Sequence, residues 1–156
     1  EFDSSVIKEN FDFYEPMTVH ESSLSPCVHA ILAAQLGYEE KAYEMYLRTA
    51  RLDIDDYNHE AHEGLHITSM AGTWMSVVEG LAGVRVYEHG LAIDPQIPNP
   101  WKSYSFQIRY QNQPLAVAVS QQNVTITNLG SAPLSCDLAG ANITIEAGAT
   151  HEAALK

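Results

Sequence analysis

The segment HEAHEGLHITSMAGTW, from His59 to Trp74, contains HEGLH, a match to the zinc-peptidase pattern H-E-x-x-H. In that chemistry two histidines one helical turn apart bind zinc, and the glutamate between them activates water. The pattern works only inside a helix. Gly64 stands between Glu63 and His66, and glycine weakens a helix interior. Apolar periodicity begins only at Leu65 or Ile67, so His62 is expected to precede the helix and not to share a face with His66. A third ligand is missing too, because Ser69 and Gly72 stand where the longer form of the pattern has Gly and His. Glu79 and Glu88 are other acidic candidates, but Glu79 lies far along the same helix from His66. The neighbouring run DIDDYNHE fails as a calcium loop. Asn58 and Gly64 occupy the sixth and twelfth positions, where Gly and Glu are required. It reads as a solvated loop after a helix.

A second chemistry begins one step to the right, in HITS. If this is a helix start, His66, Thr68 and Ser69 sit where four backbone N–H groups lack a helical partner. Such an end attracts phosphate through free donors and its dipole, and hydroxyls and an imidazole add donors. Ser22, Ser23 and Ser25 in HESSLSP precede another helix. Two such starts facing each other would cradle a tetrahedral anion; ordinary capping accounts for the same residues if they do not.

The elements that must hold these residues fall in two halves. The first is helical. LSPCVHAILAAQLGY has Ser25 as a cap, Pro26 at the first helical position and Gly37 at the exit. Its apolar face is Val28, Ile31, Leu32 and Leu36. EEKAYEMYLRTARLDI repeats Ala42, Tyr43, Tyr46, Leu47, Ala50 and Ile54 at helical spacing, with Glu39 and Glu40 at the favourable end. HITSMAGTWMSVVEGLAGV carries a stripe of Ile67, Met70, Ala71, Trp74, Val77, Val78 and Leu81. Gly72, Ser76, Gly80 and Gly83 among them allow close helix approach. Three helices bury little alone, so a larger helical array is expected. Near Gly90 the period changes to two. SYSFQIRY alternates Tyr104, Phe106, Ile108 and Tyr110 with polar residues, and PLAVAVS, NVTITNL and ANITIEAG alternate as well. The fold class expected is α+β, with helices followed by a small antiparallel β domain. DPQIPNPWKS reads as a rigid extended connection between the halves.

Composition narrows the function further. The 156 residues carry a net charge of −12 with only eight Lys and Arg, which argues against nucleic-acid and membrane-surface partners. No apolar run approaches a membrane span. Cys27 and Cys136 fit unpaired thiols in a reducing cytoplasm. The chain has no initiator Met and opens mid-pattern at EFDSSVIKENF, the aspect of a fragment.

Three stretches, taken in order, carry a family resemblance. They are NFDFYEPMTVHESSLSPCVHAILAAQLGYEEKAYEMYLRTARLDIDDYN, GLHITSMAGTWMSVVEGLAGVRV and NPWKSYSFQIRY. Together they resemble the C-terminal part of the glycoside hydrolase family 65 disaccharide phosphorylases, most specifically over residues 10–110. The resemblance implies that residues 1–88 are the last helices of an (α/α)6 catalytic barrel and residues 91–156 a C-terminal β-sheet domain. It implies cleavage of an α-glucosidic disaccharide, maltose first among them, by inorganic phosphate with inversion. The products would be β-glucose 1-phosphate and glucose. One carboxylic acid then suffices, to protonate the leaving oxygen, because phosphate itself attacks the anomeric carbon. That acid lies upstream in the family and has no counterpart here, so no catalytic residue is expected in this chain and the chain alone is expected to be inactive. Carried over by position, the phosphate ligands are Ser22, Ser23 and His66, with Thr68 beside them, and His20 and Glu21 adjoin them toward the sugar. No metal and no cofactor is implied; phosphate is the co-substrate. The partners implied are the disaccharide, the rest of the same polypeptide and, in the full-length enzyme, a second copy in a homodimer. Two other classes stay open on residues alone: a zinc metallopeptidase through HEGLH, and a non-catalytic carbohydrate-binding module in residues 91–156.

Overall fold

The computed structural model describes residues 2–155, except the side chain of Ala61. The chain divides into two compact units between Leu81 and Ala82. The helical unit contains α1 (Ser4–Tyr14), α2 (Ser25–Gln35), α3 (Glu39–Ala50), the single turn α4 (Leu52–Asp55) and α5 (Ile67–Met75). Short 3-10 turns follow α1 at Glu15–Met17 and precede α5 at Ala61–Glu63, and α5 runs on into a π-helical turn at Ser76–Leu81.

Pro26 lies in the first turn of α2, and Gly37 ends the helix with φ +74°. The Gly37 N–H donates to the Ala34 carbonyl and the Tyr38 N–H to the Ala33 carbonyl. These two bonds close a Schellman motif, which needs the left-handed residue that glycine supplies. Ser25 is not the cap. It is already helical, Leu24 occupies the cap position, and the Ser25 hydroxyl is used elsewhere.

The buried faces differ from the expected apolar stripes. In α5 and its continuation the buried residues are Ser69, Gly72, Ser76, Val78, Gly80 and Leu81, whereas Ile67, Met70 and Trp74 are exposed. The reason is distance. A Cβ on Gly72 would lie 2.9 Å from Cys27 Cβ and 3.3 Å from Thr49 Cγ2, so α2 and α3 approach too closely for a larger side chain. Ser69 in turn donates to the Thr49 carbonyl at 2.9 Å. The small residues therefore face inward. The same shift occurs in α3, which buries Ala42, Met45 and Thr49, while Ile54 is exposed. In α2, Val28 is exposed and Cys27, Ala30, Ile31, Ala33 and Ala34 are buried.

The second unit is a β-sandwich. One sheet has the order β1 (Arg85–Tyr87), β2 (Gly90–Ile93), β6 (Leu134–Leu138), β7 (Ala141–Ile145). The other has the order β3 (Ser103–Tyr110), β4 (Gln113–Ser120), β5 (Asn123–Asn128), β8 (Thr150–Ala154). All pairs are antiparallel except β2 with β6, where Leu91 faces Cys136 in parallel register. Alternate residues of both sheets meet in one core: Leu91, Ile93, Leu115, Val117, Val119, Val124, Ile126, Leu134, Cys136, Leu138 and Ile145. Gln111 and Asn112, both with positive φ, form the two-residue hairpin between β3 and β4. The expected alternation of Tyr104, Phe106, Ile108 and Tyr110 is present as the half-buried face of β3.

Two boundaries move. Residues 82–88 go with the β unit and not with the helices, because β1 pairs with β2. DPQIPNPWKS consequently lies inside the β unit, joining β2 of one sheet to β3 of the other. Cys27 and Cys136 are both free and buried. Among the described residues no helix is long and apolar enough to cross a membrane.

The close approach at Gly72 gives a direct test. Gly72→Val overpacks the contact with Cys27 and Thr49 and should cost about 1–3 kcal/mol. Denaturant unfolding followed by far-UV circular dichroism measures it.

Candidate functional site

The site is assembled at the start of α5. His66 occupies the N-cap position with φ −83° and ψ 82°, and Gly64, at φ +115°, turns the chain into it. That φ suits glycine and strains other residues. His62 lies on the preceding 3-10 turn and is exposed, so the two histidines of HEGLH sit on different elements. The one-face geometry that zinc peptidases need is absent.

His66 is held at two points by one side chain. Asp53 Oδ2 accepts from the His66 backbone N–H at 2.9 Å, and Asp53 Oδ1 pairs with His66 Nδ1 at 2.6 Å. A carboxylate only accepts, so Nδ1 carries the proton. The remaining nitrogen, Nε2, lies 3.6 Å from Glu60 Oε2, and the imidazole is about one quarter exposed, at 23%. The Asp53 hydrogen bond raises the His66 pKa above its ordinary 6.5, opposed by some burial and aided by the charges of Asp53, Glu60 and Glu63. The same pair, chiefly through the His66 side-chain bond, lowers Asp53 below its ordinary 3.8. The sign follows from linkage. The histidine's share of stability is full below pH 6.5 and is lost as pH rises through its raised value. The aspartate's share is full above pH 3.8 and is lost as pH falls through its lowered value.

Asp53 was not singled out by the sequence. It belongs to the acidic run read as a solvated loop, and the structure corrects that reading. Asp53 lies on α4, anchored by buried Leu52, and reaches across thirteen residues to His66. Its neighbour Asp55 is tied instead to Arg51, whose Nε and Nη2 donate at 2.7 and 2.6 Å. Nothing in the local spacing separates these two aspartates.

The HESSLS segment meets the α5 start. Ser23 Oγ and Thr68 Oγ1 are 3.2 Å apart, linking the two hydroxyl clusters across 45 residues of sequence. A second tie runs through Asn58, whose Nδ2 donates to the Glu21 carbonyl at 3.1 Å and lies 3.4 Å from Glu60 Oε2. Ser22 forms the turn into α2. Its carbonyl accepts from the Ser25 N–H, its hydroxyl accepts from the Leu24 N–H at 3.4 Å, and its side chain lies in an exposed residue. The two hydroxyl segments thus touch at Ser23 and Thr68.

His20 is different. It is buried, with a left-handed φ of +56°. Its Nδ1 lies 2.9 Å from Ser25 Oγ, its ring packs edge-on against His29, and its carbonyl accepts from Arg48. Nε2 makes no hydrogen bond and lies 3.9 Å from Glu15 Oε1, which pairs with Lys41. Desolvation first, then the positive neighbours, lowers its pKa. Ser25 thus occupies Nδ1 and leaves Nε2 as the ring nitrogen without a hydrogen bond. Glu21 is exposed beside it.

The chain thus sets helices before a β-sandwich and gathers hydroxyls and a fixed imidazole at one helix start, the arrangement of a helical domain followed by a C-terminal β domain. The chain belongs to glycoside hydrolase family 65. Residues 1–75 match the family's central catalytic domain and residues 84–145 its C-terminal domain. It is 54% identical over 127 residues to maltose phosphorylase of Bacillus subtilis (strain 168), covering 81% of this chain and 17% of that protein. It is 42% identical over 147 residues to α,α-trehalose phosphorylase of Thermoanaerobacter brockii, covering 94% and 19%. A solved structure from the human microbiome, assigned as a kojibiose phosphorylase, superposes with a TM-score of 0.90 at 36% identity, covering 98% of this chain and 21% of that one. The chain thus spans about a fifth of the length of the relatives it matches.

The His20 environment yields an expected outcome. Ser25→Ala removes the hydrogen-bond partner of His20 Nδ1 and should destabilise the protein by about 1–3 kcal/mol. Because His20 is depressed below its ordinary 6.5, the unfolded state takes up its proton first, and stability should fall as pH drops below that value. Urea unfolding at a series of pH values measures both effects.

Proposed function

We propose that the full-length protein is an inverting phosphorylase of α-glucosidic disaccharides, and that this chain supplies part of its phosphate site. The observation that carries the reading is the α5 start. There an imidazole locked in one tautomer stands with Thr68, and Thr68 is bonded to Ser23 of the second hydroxyl segment. Protonated His66 donates from Nε2, and Ser22, Ser23 and Thr68 add hydroxyl donors beside a helix N-terminus. These are the groups an attacking phosphate dianion needs to be bound and aimed.

In the reaction, a phosphate oxygen forms the bond to the anomeric carbon as the glycosidic C–O bond breaks on the opposite face. A carboxylic acid from another part of the protein protonates the departing sugar oxygen. Phosphate arrives already anionic, so no general base is required. The products are β-glucose 1-phosphate and a free sugar, and no cofactor takes part. Maltose is the substrate we favour, on the strength of the 54% identity to a maltose phosphorylase; relatives named for trehalose and kojibiose set the alternatives. The exposed Ile67, Met70 and Trp74 support placing these helices in a larger helical array, since an apolar face of this kind marks a packing surface.

A hydrogen bond to a charged group is worth about 1.5–3 kcal/mol, so His66→Ala in the full-length enzyme should raise the KM for phosphate about 10- to 150-fold. The KM for the disaccharide should stay within about threefold, since the imidazole is read as a ligand of phosphate and not of the sugar. Initial-rate kinetics with each substrate varied in turn measure this, and an unchanged phosphate KM overturns the assignment. With phosphate saturating, kcat/KM should rank maltose above trehalose and kojibiose.

A further inference from the structure

We propose that Asp53 is the positioning residue of the phosphate site, holding the backbone N–H and Nδ1 of His66 together so that Nε2 alone is presented to phosphate. This rests on the reading of His66 as a phosphate ligand. The two bonds, at 2.9 and 2.6 Å, leave the imidazole neither a second tautomer nor free rotation. They also fix the residue that opens α5, so ring and helix start are oriented by one group. A carboxylate behind a ligating histidine sets its tautomer and raises its basicity; in metal sites such partners govern affinity in the same way.

The charge balance makes the carboxylate matter. Asp53, Glu60 and Glu63 all act electrostatically on His66. Acidic groups around an anion site would repel phosphate if the imidazole were neutral. With the ring cationic, one donor faces outward and its charge offsets a carboxylate. Glu60 Oε2, 3.6 Å from Nε2, occupies the direction phosphate would take. Glu60 is a partly exposed loop residue, so phosphate on Nε2 requires its carboxylate to leave both that nitrogen and Asn58.

The test uses Asp53→Asn and Asp53→Ala in the full-length enzyme, beside His66→Ala. Asparagine keeps one acceptor for Nδ1 but loses the charge and the second acceptor. For Asp53→Asn the KM for phosphate should rise about tenfold, within the 10–100-fold range seen when such outer partners are removed. The KM for the disaccharide should not move. Phosphate binding weakens as His66 loses its proton, so the alkaline fall of kcat/KM for phosphate should shift to lower pH in Asp53→Asn. A role confined to packing would leave that limb in place. If His66→Ala weakens phosphate while both Asp53 variants keep the wild-type KM and pH profile, the positioning role is overturned and the phosphate site stands. If His66→Ala leaves phosphate untouched, both readings fall. A structure of the full-length enzyme with phosphate needs no variant. Phosphate on Nε2 with Asp53 still on Nδ1 supports the role, and phosphate on Nδ1 or a displaced Asp53 overturns it.

Discussion

A single carboxylate, Asp53, binds the main chain and the side chain of the same residue, and the arrangement around the α5 start depends on that double bond. Either hydrogen bond alone would leave a degree of freedom. The backbone bond would fix the chain but let the ring turn, and the ring bond would fix the imidazole on a loose cap. Together they give a histidine at a loop–helix junction one fixed orientation. The geometry requires α4 and α5 to be set against each other, and each has its own anchor. Leu52 is buried next to Asp53, and Ser69 reaches the Thr49 carbonyl one turn into α5.

The second constraint is the distance between helices. Gly72 meets Cys27 and Thr49 so closely that no Cβ fits without displacement. This contact seats α5 on α2 and α3, and therefore sets where its N-terminus points. It also decides which face turns inward. Ser69 and Gly72 turn inward on α5 because they are small, and Ile67, Met70 and Trp74 of the same helix are left outside. Polar hydroxyls are tolerated inside because each finds a carbonyl: Ser69 that of Thr49, Ser76 that of Gly72.

The fold was legible in the sequence where a period or a special dihedral announced it. Gly37 ended α2 as a left-handed glycine should, and the alternation of SYSFQIRY became a half-buried strand. The strands β1 and β2 were missed, because three- and four-residue segments are too short to show a period. Their pairing draws residues 82–88 into the β unit. The parallel pairing of β2 with β6 was equally invisible, since it joins segments more than forty residues apart. In the site, hydroxyls at two helix starts were readable from type and position. Asp53 was not, because an acidic run offers several equivalent carboxylates and only the folded chain selects one. The burial of His20 against Ser25 and His29 was likewise not legible, since its partners come from the fold and not from its place beside the serines.

By itself the sequence determined the order of helices then strands, the glycine-led entry to α5, and which two segments gather hydroxyls at helix starts. These follow from local chemistry: periodicity, caps and the conformational freedom of glycine act within a few residues. Only the tertiary structure decided that Ser23 meets Thr68, that Asp53 rather than Asp55 holds His66, and that glycine and serine face inward on α5. Those outcomes depend on how closely α2, α3 and α5 approach, and residues distant in sequence set that spacing jointly.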